Sequence, residues 1–124
     1  MTILLIDDDN KFRTEFSARL RQDGHVVHEY MRPTELPPLD TLGELSLVII
    51  DHALPEQNGL ALADALGKAH PRTPIVLLTW YWSLQLASEV AARSFVHLCR
   101  KPIGYDELCA VVRCLGTQAV SSRL

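Results

Sequence analysis

The sequence lacks both a long hydrophobic run and a surplus of basic residues. Its 124 residues include 12 Lys and Arg against 15 Asp and Glu, so the formal net charge is −3. No apolar stretch approaches the roughly 20 residues that a transmembrane helix needs, and no basic face is available for nucleic acid or anionic membrane. The first apolar run begins at residue 2, which leaves no room for a signal peptide. We therefore expect a soluble domain that contacts neither nucleic acid nor membrane.

Cysteines are few, and their spacing is unsuited to cross-links. Cys99, Cys109 and Cys114 are odd in number and contain no C-x-x-C pair, which argues against a disulfide framework and against a zinc site. The interpretation that remains is that the thiols are buried as small apolar groups. We expect a reducing, cytoplasmic environment.

Several catalytic motifs are also absent. The sequence has no G-x-x-x-x-G-K-[ST] loop for nucleotide phosphates and no G-x-S-x-G turn for a nucleophilic serine. Its 5 histidines do not show the spacing of a metal site. These absences disfavour a P-loop nucleotidase, a serine hydrolase and a zinc enzyme.

Short apolar runs alternate with helical patterns, which is typical of a parallel sheet covered by helices on both faces. Strands are predicted at about residues 2–6, 25–31, 46–50, 74–79 and 95–99. Helices are predicted at about residues 10–23, 58–70, 83–93 and 105–115. Asn10 is the expected cap of the first helix, and Gly24 is its expected C-terminal residue. Phe12, Phe16 and Leu20 recur every four residues along this helix and form its apolar stripe.

Two segments depart from this alternation. The helix expected between the second and third strands is interrupted by Pro37 and Pro38, so we predict a short or irregular helix, at Leu39 to Leu45. The apolar period is lost after Gly116. We predict one domain over residues 1–116, and a frayed tail or the start of a linker over residues 117–124.

Polar side chains stand at the ends of four predicted strands. Asp7 and Asp8 follow the first strand and Asp51 follows the third, while Thr79 ends the fourth and Lys101 follows the fifth. The carboxyl ends of parallel strands share one edge of a sheet, where open α/β sheets bind their ligands. Carboxylates crowded at this edge repel one another, which favours binding of a hard divalent cation.

The acidic residues suit magnesium, which binds one or two carboxylates and keeps several waters. Asp7, Asp8 and Asp51, with the backbone carbonyl of Ala53 and water, would complete its coordination. The third acid of the first run, Asp9, is interpreted as the solvated start of the first helix, where negative charge is favoured by the helix dipole.

Asp51 is the candidate nucleophile. A carboxylate can accept a phosphoryl group and form an aspartyl phosphate, although a helix cap or a loop acid is the common alternative for a single Asp. The hydroxyl of Thr79 and the ammonium group of Lys101 would each bind a phosphoryl oxygen. Pro102, directly after Lys101, can fix the turn at the strand end in the cis form.

These residues resemble those of a known family, the receiver domains of bacterial two-component response regulators. The resemblance covers about residues 2–115 and is carried by four motifs in order: Ile6-Asp7-Asp8-Asp9, then Asp51-His52-Ala53-Leu54-Pro55 with Asn58-Gly59, then Leu78-Thr79, then Lys101-Pro102-Ile103. It implies a flavodoxin-like, doubly wound sheet of five parallel strands in the order 2-1-3-4-5, with helices on both faces. It also implies that Asp51 is phosphorylated, that Asp7 and Asp8 bind magnesium, that Thr79 is the switch hydroxyl and that Lys101 binds the phosphate.

The sequence departs from the family pattern after the threonine and before the lysine. Trp80 follows the threonine where the family usually has a small residue, and Tyr81 and Trp82 come next. Leu98 stands where the family has its switch aromatic residue. We therefore expect Trp80 to roof part of the pocket, the usual threonine–aromatic coupling to be altered, and the three aromatic residues to form a partner surface.

The resemblance implies a signalling domain rather than an enzyme, one that assists only its own phosphorylation and dephosphorylation. Its expected partners are a sensor histidine kinase or a histidine phosphotransfer protein, with an output domain outside this chain; a monomer or weak dimer is expected. The alternative is a degenerate receiver that binds a partner without being phosphorylated. A third hypothesis is a phosphatase or phosphomutase, but Ala53 stands where enzymes resembling haloacid dehalogenases carry a second acid.

Overall fold

A computed structural model describes the backbone of residues 1–122 and the side chains of residues 1–115. Its 5 strands form one parallel sheet in the order β2-β1-β3-β4-β5. The strands are β1 (Thr2–Ile6), β2 (Val26–Tyr30), β3 (Leu47–Asp51), β4 (Ile75–Thr79) and β5 (Val96–Arg100). The helices are α1 (Asn10–Gln22), α2 (Gly59–Ala69), α3 (Leu84–Ala91) and α4 (Tyr105–Ser122). The predicted flavodoxin-like fold and strand order are confirmed.

The sheet has a hydrophobic layer on each face, because successive strand residues point to opposite sides. Leu4 and Ile6 of β1 belong to the layer under α2 and α3. Ile3 and Leu5 belong to the opposite layer, under α1 and α4. Every residue of β3 and β4 is buried, as expected for central strands of a parallel sheet. The two layers fix the strand ends, and with them the polar residues at the carboxyl edge.

The start of α1 differs from the prediction by one residue. Asp9 is the N-cap, with extended backbone angles, and its side chain accepts a hydrogen bond of 3.1 Å from the backbone N–H of Phe12. Asn10 is the first helical residue, so its assignment as the cap was wrong. The acid next to it satisfies the helix N-terminus and carries the charge that the helix dipole favours. Gly24 follows the helix at φ +92°, as predicted.

No α-helix forms between β2 and β3. The chain makes two short 3₁₀ turns, Pro33–Glu35 and Leu39–Thr41, with Pro33 in the first turn. The expected short or irregular helix is confirmed, although the predicted span to Leu45 was too long. The prolines remove backbone donors that an α-helix would need.

The last helix extends beyond its predicted end. α4 continues to Ser122, so the end predicted near residue 115 was wrong, and the predicted boundary at residue 116 falls inside a helix. Residues 123–124 of the predicted tail lie outside the described residues. Burial was predicted correctly for Cys109 but not for Cys114, which is exposed, and Cys99 is half-buried. Among the described residues, no helix combines the length and apolar character required to cross a bilayer.

Candidate functional site

The strand ends bring four of the predicted site residues to one edge of the sheet. Asp51 is the last residue of β3 and Thr79 the last of β4, while Asp7 and Lys101 directly follow β1 and β5. Their exposed fractions are 0% for Asp7, 4% for Asp51, 2% for Thr79 and 7% for Lys101. Polar groups are seldom buried so completely unless they are paired or have a function.

Three carboxylates converge at this edge. Oxygen atoms of Asp7, Asp8 and Asp51 lie within 4.8 Å of one another, and this is the one such cluster of potential metal ligands found in the described part of the chain. Asp8 is exposed while the other two are buried, so the cluster is open to solvent on one side. Hard carboxylate oxygens with room for water are the ligands that Mg²⁺ prefers, and the residues present therefore fit this ion.

Lys101 compensates only part of the buried negative charge. Its Nζ donates a hydrogen bond of 2.7 Å to Oδ2 of Asp7 and lies 3.7 Å from Oδ1 of Asp51. That Oδ1 atom is buried and has no hydrogen-bond partner. An unsatisfied buried oxygen is costly in a folded protein, and its presence here indicates an acceptor that is kept free for a ligand.

The environment shifts the two buried acids toward their neutral forms. Burial, followed by the negative charge of Asp7, raises the pKa of Asp51 to about 7, although the Lys101 ammonium opposes the shift. Burial also raises the pKa of Asp7, against the hydrogen bond that Lys101 donates. A cation at this edge would oppose both shifts by favouring the charged carboxylates.

Asp7 is held by contacts that the sequence did not reveal. Its Oδ1 accepts a hydrogen bond of 2.9 Å from the backbone N–H of Asp9, and its backbone carbonyl accepts one of 2.9 Å from Nη1 of Arg13. Arg13 is buried and also pairs with Glu29 on β2, at 3.3 Å. Sequence reasoning missed Arg13; the available signal was a basic residue one helical turn after the cap.

The hydroxyl of Thr79 is occupied by its own loop. It donates to the backbone carbonyl of Tyr81 at 3.3 Å and accepts from the backbone N–H of the same residue at 3.1 Å. The predicted contact with a phosphoryl oxygen would require the hydroxyl to exchange these partners, and it stays a prediction.

Three consecutive aromatic residues follow Thr79, and the first of them borders the pocket. The exposed fractions of Trp80, Tyr81 and Trp82 are 54%, 83% and 43%. The centroid of the Trp80 ring lies 6.0 Å from Nζ of Lys101, so this residue borders the pocket on the side of the lysine. Trp82 instead packs against the exposed guanidinium group of Arg100, at 5.0 Å. The predicted partner surface is an exposed segment, and its use by a partner stays a prediction.

One aromatic contact with the lysine was not predicted. The centroid of the Phe12 ring is 4.8 Å from Nζ of Lys101, whereas sequence reasoning placed Phe12 only on the apolar stripe of the first helix. The helical period identifies which face of the helix is apolar, but it does not show which residues of other elements contact that face.

Three further residues were named from the sequence: Ala53, Leu98 and Pro102. Leu98 is half-buried and packs against the hydrophobic layer of α2 and α3. Ala53 is exposed in the loop after β3, and the role of its carbonyl stays a prediction. The Lys101–Pro102 peptide bond is cis, as the sequence suggested.

A glycine allows the loop after Asp51 to close tightly. A Cβ atom on Gly59 would lie 2.3 Å from the backbone carbonyl oxygen of Asp51 and 2.9 Å from Cα of His52. The N–H of Gly59 donates to the carbonyl of His52 at 2.8 Å. The start of α2 therefore lies directly against the end of β3.

Fold and site together define an α/β protein of the flavodoxin type with an acidic pocket at the carboxyl edge of its sheet. A sequence model of the response regulator receiver domain matches residues 3–113. The chain belongs to this receiver-domain family of two-component signalling.

Curated relatives contain this domain as a small part of a longer protein. The chain is 32% identical over 111 residues to the DNA-binding transcriptional regulator NtrC of Azospirillum brasilense, and the match covers 90% of this chain and 23% of that protein. It is 28% identical over 114 residues to the sensor kinase CckA of Brucella abortus, which covers 90% of this chain and 12% of that protein. The chain thus spans less than a quarter of either relative.

Solved structures show the same fold at low identity. A CheY-like receiver domain protein from Methanospirillum hungatei JF-1 superposes with a TM-score of 0.88 at 21% identity, covering 98% of this chain and 97% of that one. A response regulator from Burkholderia pseudomallei was solved with a phosphorylated aspartic acid, a calcium ion and citrate. It superposes with a TM-score of 0.78 at 23% identity, and the match covers 98% of this chain and 72% of that one.

Proposed function

We propose that this receiver domain accepts a phosphoryl group on Asp51 and thereby switches a surface that binds a partner. The observation that carries the proposal is the buried Oδ1 of Asp51, which has no hydrogen-bond partner and lies 3.7 Å from the Lys101 ammonium. A nucleophilic oxygen must be free to attack, and the neighbouring ammonium can neutralise a phosphoryl oxygen.

The transfer forms one bond and breaks one. A carboxylate oxygen of Asp51 attacks the phosphorus of a phosphohistidine, and the phosphorus–nitrogen bond breaks as the new phosphorus–oxygen bond forms. The electron pair of the broken bond goes to the imidazole nitrogen, which takes up a proton. Lys101 then binds one phosphoryl oxygen, and Thr79 donates its hydroxyl to another.

Asp7, Asp8 and Asp51, with the carbonyl of Ala53, would hold magnesium at this site. When bound, Mg²⁺ would offset negative charge on the phosphoryl oxygens and allow a charged donor to approach three carboxylates. Asp8 would bind from the exposed side and Asp7 from the buried side, where its position is fixed by the backbone N–H of Asp9.

The donor would be a sensor histidine kinase or a histidine phosphotransfer protein. This follows from family membership and from the sensor kinase among the relatives. An output domain outside this chain is proposed on the same ground, because the chain matches only 23% of the transcriptional regulator NtrC.

The test is intact mass after incubation with magnesium and a phosphodonor. We expect the wild-type chain to gain one phosphoryl group and Asp51→Asn to gain none. Acetyl phosphate and a phosphohistidine-bearing phosphotransfer protein should be tried separately, since Trp80 borders the pocket. Equal labelling of the Asp51→Asn variant would overturn the assignment of the acceptor.

The second candidate is a degenerate receiver that binds its partner without being phosphorylated. Trp80 beside the pocket and Leu98 in place of an aromatic residue favour it. Magnesium binding with no labelling from either donor is the result that would select this candidate.

A further inference from the structure

The ammonium group of Lys101 lies beside two aromatic rings as well as two carboxylates. Its Nζ is 4.8 Å from the centroid of the Phe12 ring and 6.0 Å from that of the Trp80 ring. A cation within about 6 Å of an aromatic centroid is attracted by the face of the ring. Phe12 belongs to α1 and Trp80 to the loop after β4, so two separate elements converge on the lysine.

This ammonium group has few polar partners. The side chain of Lys101 is 3% exposed, so little water reaches it, and its one hydrogen bond to a carboxylate is to Asp7. A buried cation is costly unless its surroundings compensate it. The two aromatic faces supply attraction without using either oxygen of Asp51, whose Oδ1 stays free of hydrogen bonds.

Phe12 is itself fixed by its neighbours. Its ring stacks on Phe16 with centroids 5.7 Å apart and planes inclined by 10°, and Phe16 meets Tyr105 edge-on at 5.4 Å. A lysine side chain has many rotamers, whereas this stack restricts the position of the Phe12 ring. A rigid aromatic wall beside a flexible cation therefore limits where the ammonium group can lie.

We propose that Phe12, assisted by Trp80, is a positioning residue that holds the Lys101 ammonium between Asp7 and Asp51, ready to bind a phosphoryl oxygen. Phe12 acts through the lysine and not on the phosphoryl group itself. The role rests on the proposed function of Asp51. Holding the cation in place before the donor arrives removes an ordering step from the transition state.

The test compares two substitutions of Phe12. Phe12→Leu keeps apolar bulk but removes the ring face, while Phe12→Tyr keeps the face. The rate of Asp51 phosphorylation should fall by about 3- to 10-fold in Phe12→Leu and stay within about 2-fold of wild type in Phe12→Tyr. Acetyl phosphate is the donor in this test, because it needs no partner surface. Trp82→Leu is the matched control, because it removes a ring 5.0 Å from Arg100, outside the pocket; it should keep the wild-type rate.

A double variant tests whether Phe12 acts through Lys101 or through the packing of the fold. When Lys101 is replaced by methionine, adding Phe12→Leu should not lower the rate of Asp51 phosphorylation any further, because the ammonium group that Phe12 positions is gone. An equal fall in both backgrounds would overturn the proposal by showing that Phe12 acts on folding or donor docking. A wild-type rate in Phe12→Leu would overturn it directly.

A readout independent of phosphorylation distinguishes this proposal from the function of Asp51. The ring current of Phe12 should shift the NMR signals of the Lys101 methylene protons next to Nζ; this contribution should be lost in Phe12→Leu and kept in Phe12→Tyr, while that of Trp80 remains in both. If the wild-type chain accepts no phosphoryl group but the shifts behave this way, Phe12 does position the Lys101 ammonium and it is the proposed function of Asp51 that fails. Unchanged Lys101 shifts in Phe12→Leu would reject the positioning role whatever Asp51 does.

Discussion

At the scale of single residues, Asp51 is maintained at a cost to stability. It is buried beside Asp7, and among the described side chains Lys101 is the one that forms ion pairs with the two acids. Such a group is retained where the charged form is needed by a ligand rather than by the fold. The fold should therefore become more stable when the charge is removed.

We predict that Asp51→Asn stabilises the metal-free protein, and more so at higher pH. The pKa of Asp51 is raised from 3.8 to about 7 in the folded state, so the folded state binds more protons between these values. The stability linked to protonation is present in acid and is lost as the pH rises through about 7. The free energy of unfolding of Asp51→Asn should exceed that of wild type by a margin that grows by at least about 1 kcal/mol from pH 5 to pH 8. Denaturant unfolding in the presence of a metal chelator measures this difference.

Asp64→Asn is the control for this pH dependence. The hydrogen bonds from Arg93 lower the pKa of Asp64, so its charged form is favoured by the fold. That stability is present above the unfolded pKa and is lost only in acid, so Asp64→Asn should show no growing gain from pH 5 to pH 8. A flat difference between wild type and Asp51→Asn over this interval would contradict the burial of an uncompensated charge.

At the scale of elements, the site depends on how closely α2 approaches the end of β3. Gly59 permits that approach, because a side chain there would meet the backbone of Asp51 and His52. Backbone cannot move aside as a flexible side chain can, so a larger residue must displace the helix itself. The position of Asp51 is thus linked to the first turn of α2.

We predict that Gly59→Ala destabilises the fold by about 1 to 3 kcal/mol and weakens magnesium binding. The added methyl group would press on the backbone carbonyl of Asp51 and shift the Asp51 carboxylate relative to that of Asp7. Gly104→Ala is the matched control, because the nearest atom to its Cβ is a side-chain oxygen of Glu107 at 3.8 Å, and it should cost less than about 1 kcal/mol. Chemical denaturation and magnesium titration measure the two effects, and equal behaviour of the two variants would contradict the close approach.

At the scale of the whole molecule, metal binding should stabilise the fold. A ligand that binds only the folded state adds about 2.7 kcal/mol at 100 times its dissociation constant. We predict that magnesium raises the unfolding midpoint of wild type, measured against sodium chloride of equal ionic strength. Asp8→Asn should lose at least half of this rise.

Asp9→Asn tests whether that loss is specific. Asp9 is an exposed acid next to Asp8 and caps α1, and asparagine can serve as the same cap. This variant removes the same charge without removing a member of the cluster, so it should keep the magnesium effect. Equal losses in Asp8→Asn and Asp9→Asn would indicate general screening of negative charge in place of a defined site.

The strands and the acidic edge could be predicted from apolar runs that end in polar residues, whereas the order of the strands came from the resemblance to receiver domains. The apolar period also located Phe12 on the first helix. Its contact with Lys101 could not be predicted, since the two residues come from opposite ends of the chain. The hydrogen bonds between Thr79 and Tyr81 could not be predicted either, because they depend on the conformation of a loop, and hydrophobic periodicity does not describe loops. The cap of α1 was missed by one residue because Asp9 and Asn10 are both good caps.

The ion pair between Asp7 and Lys101 joins residues 94 positions apart, across strands that are not neighbours in the sheet. Asp7 leaves β1 and Lys101 leaves β5, and between them stand β3 and β4, each of which ends in another residue of the pocket. A chain that has emerged only as far as β4 holds the acids but not the cation. The pocket therefore gains its ammonium group only once the chain has been made past β5, and a chain that ends before Lys101 would hold the buried acids without their ion pair.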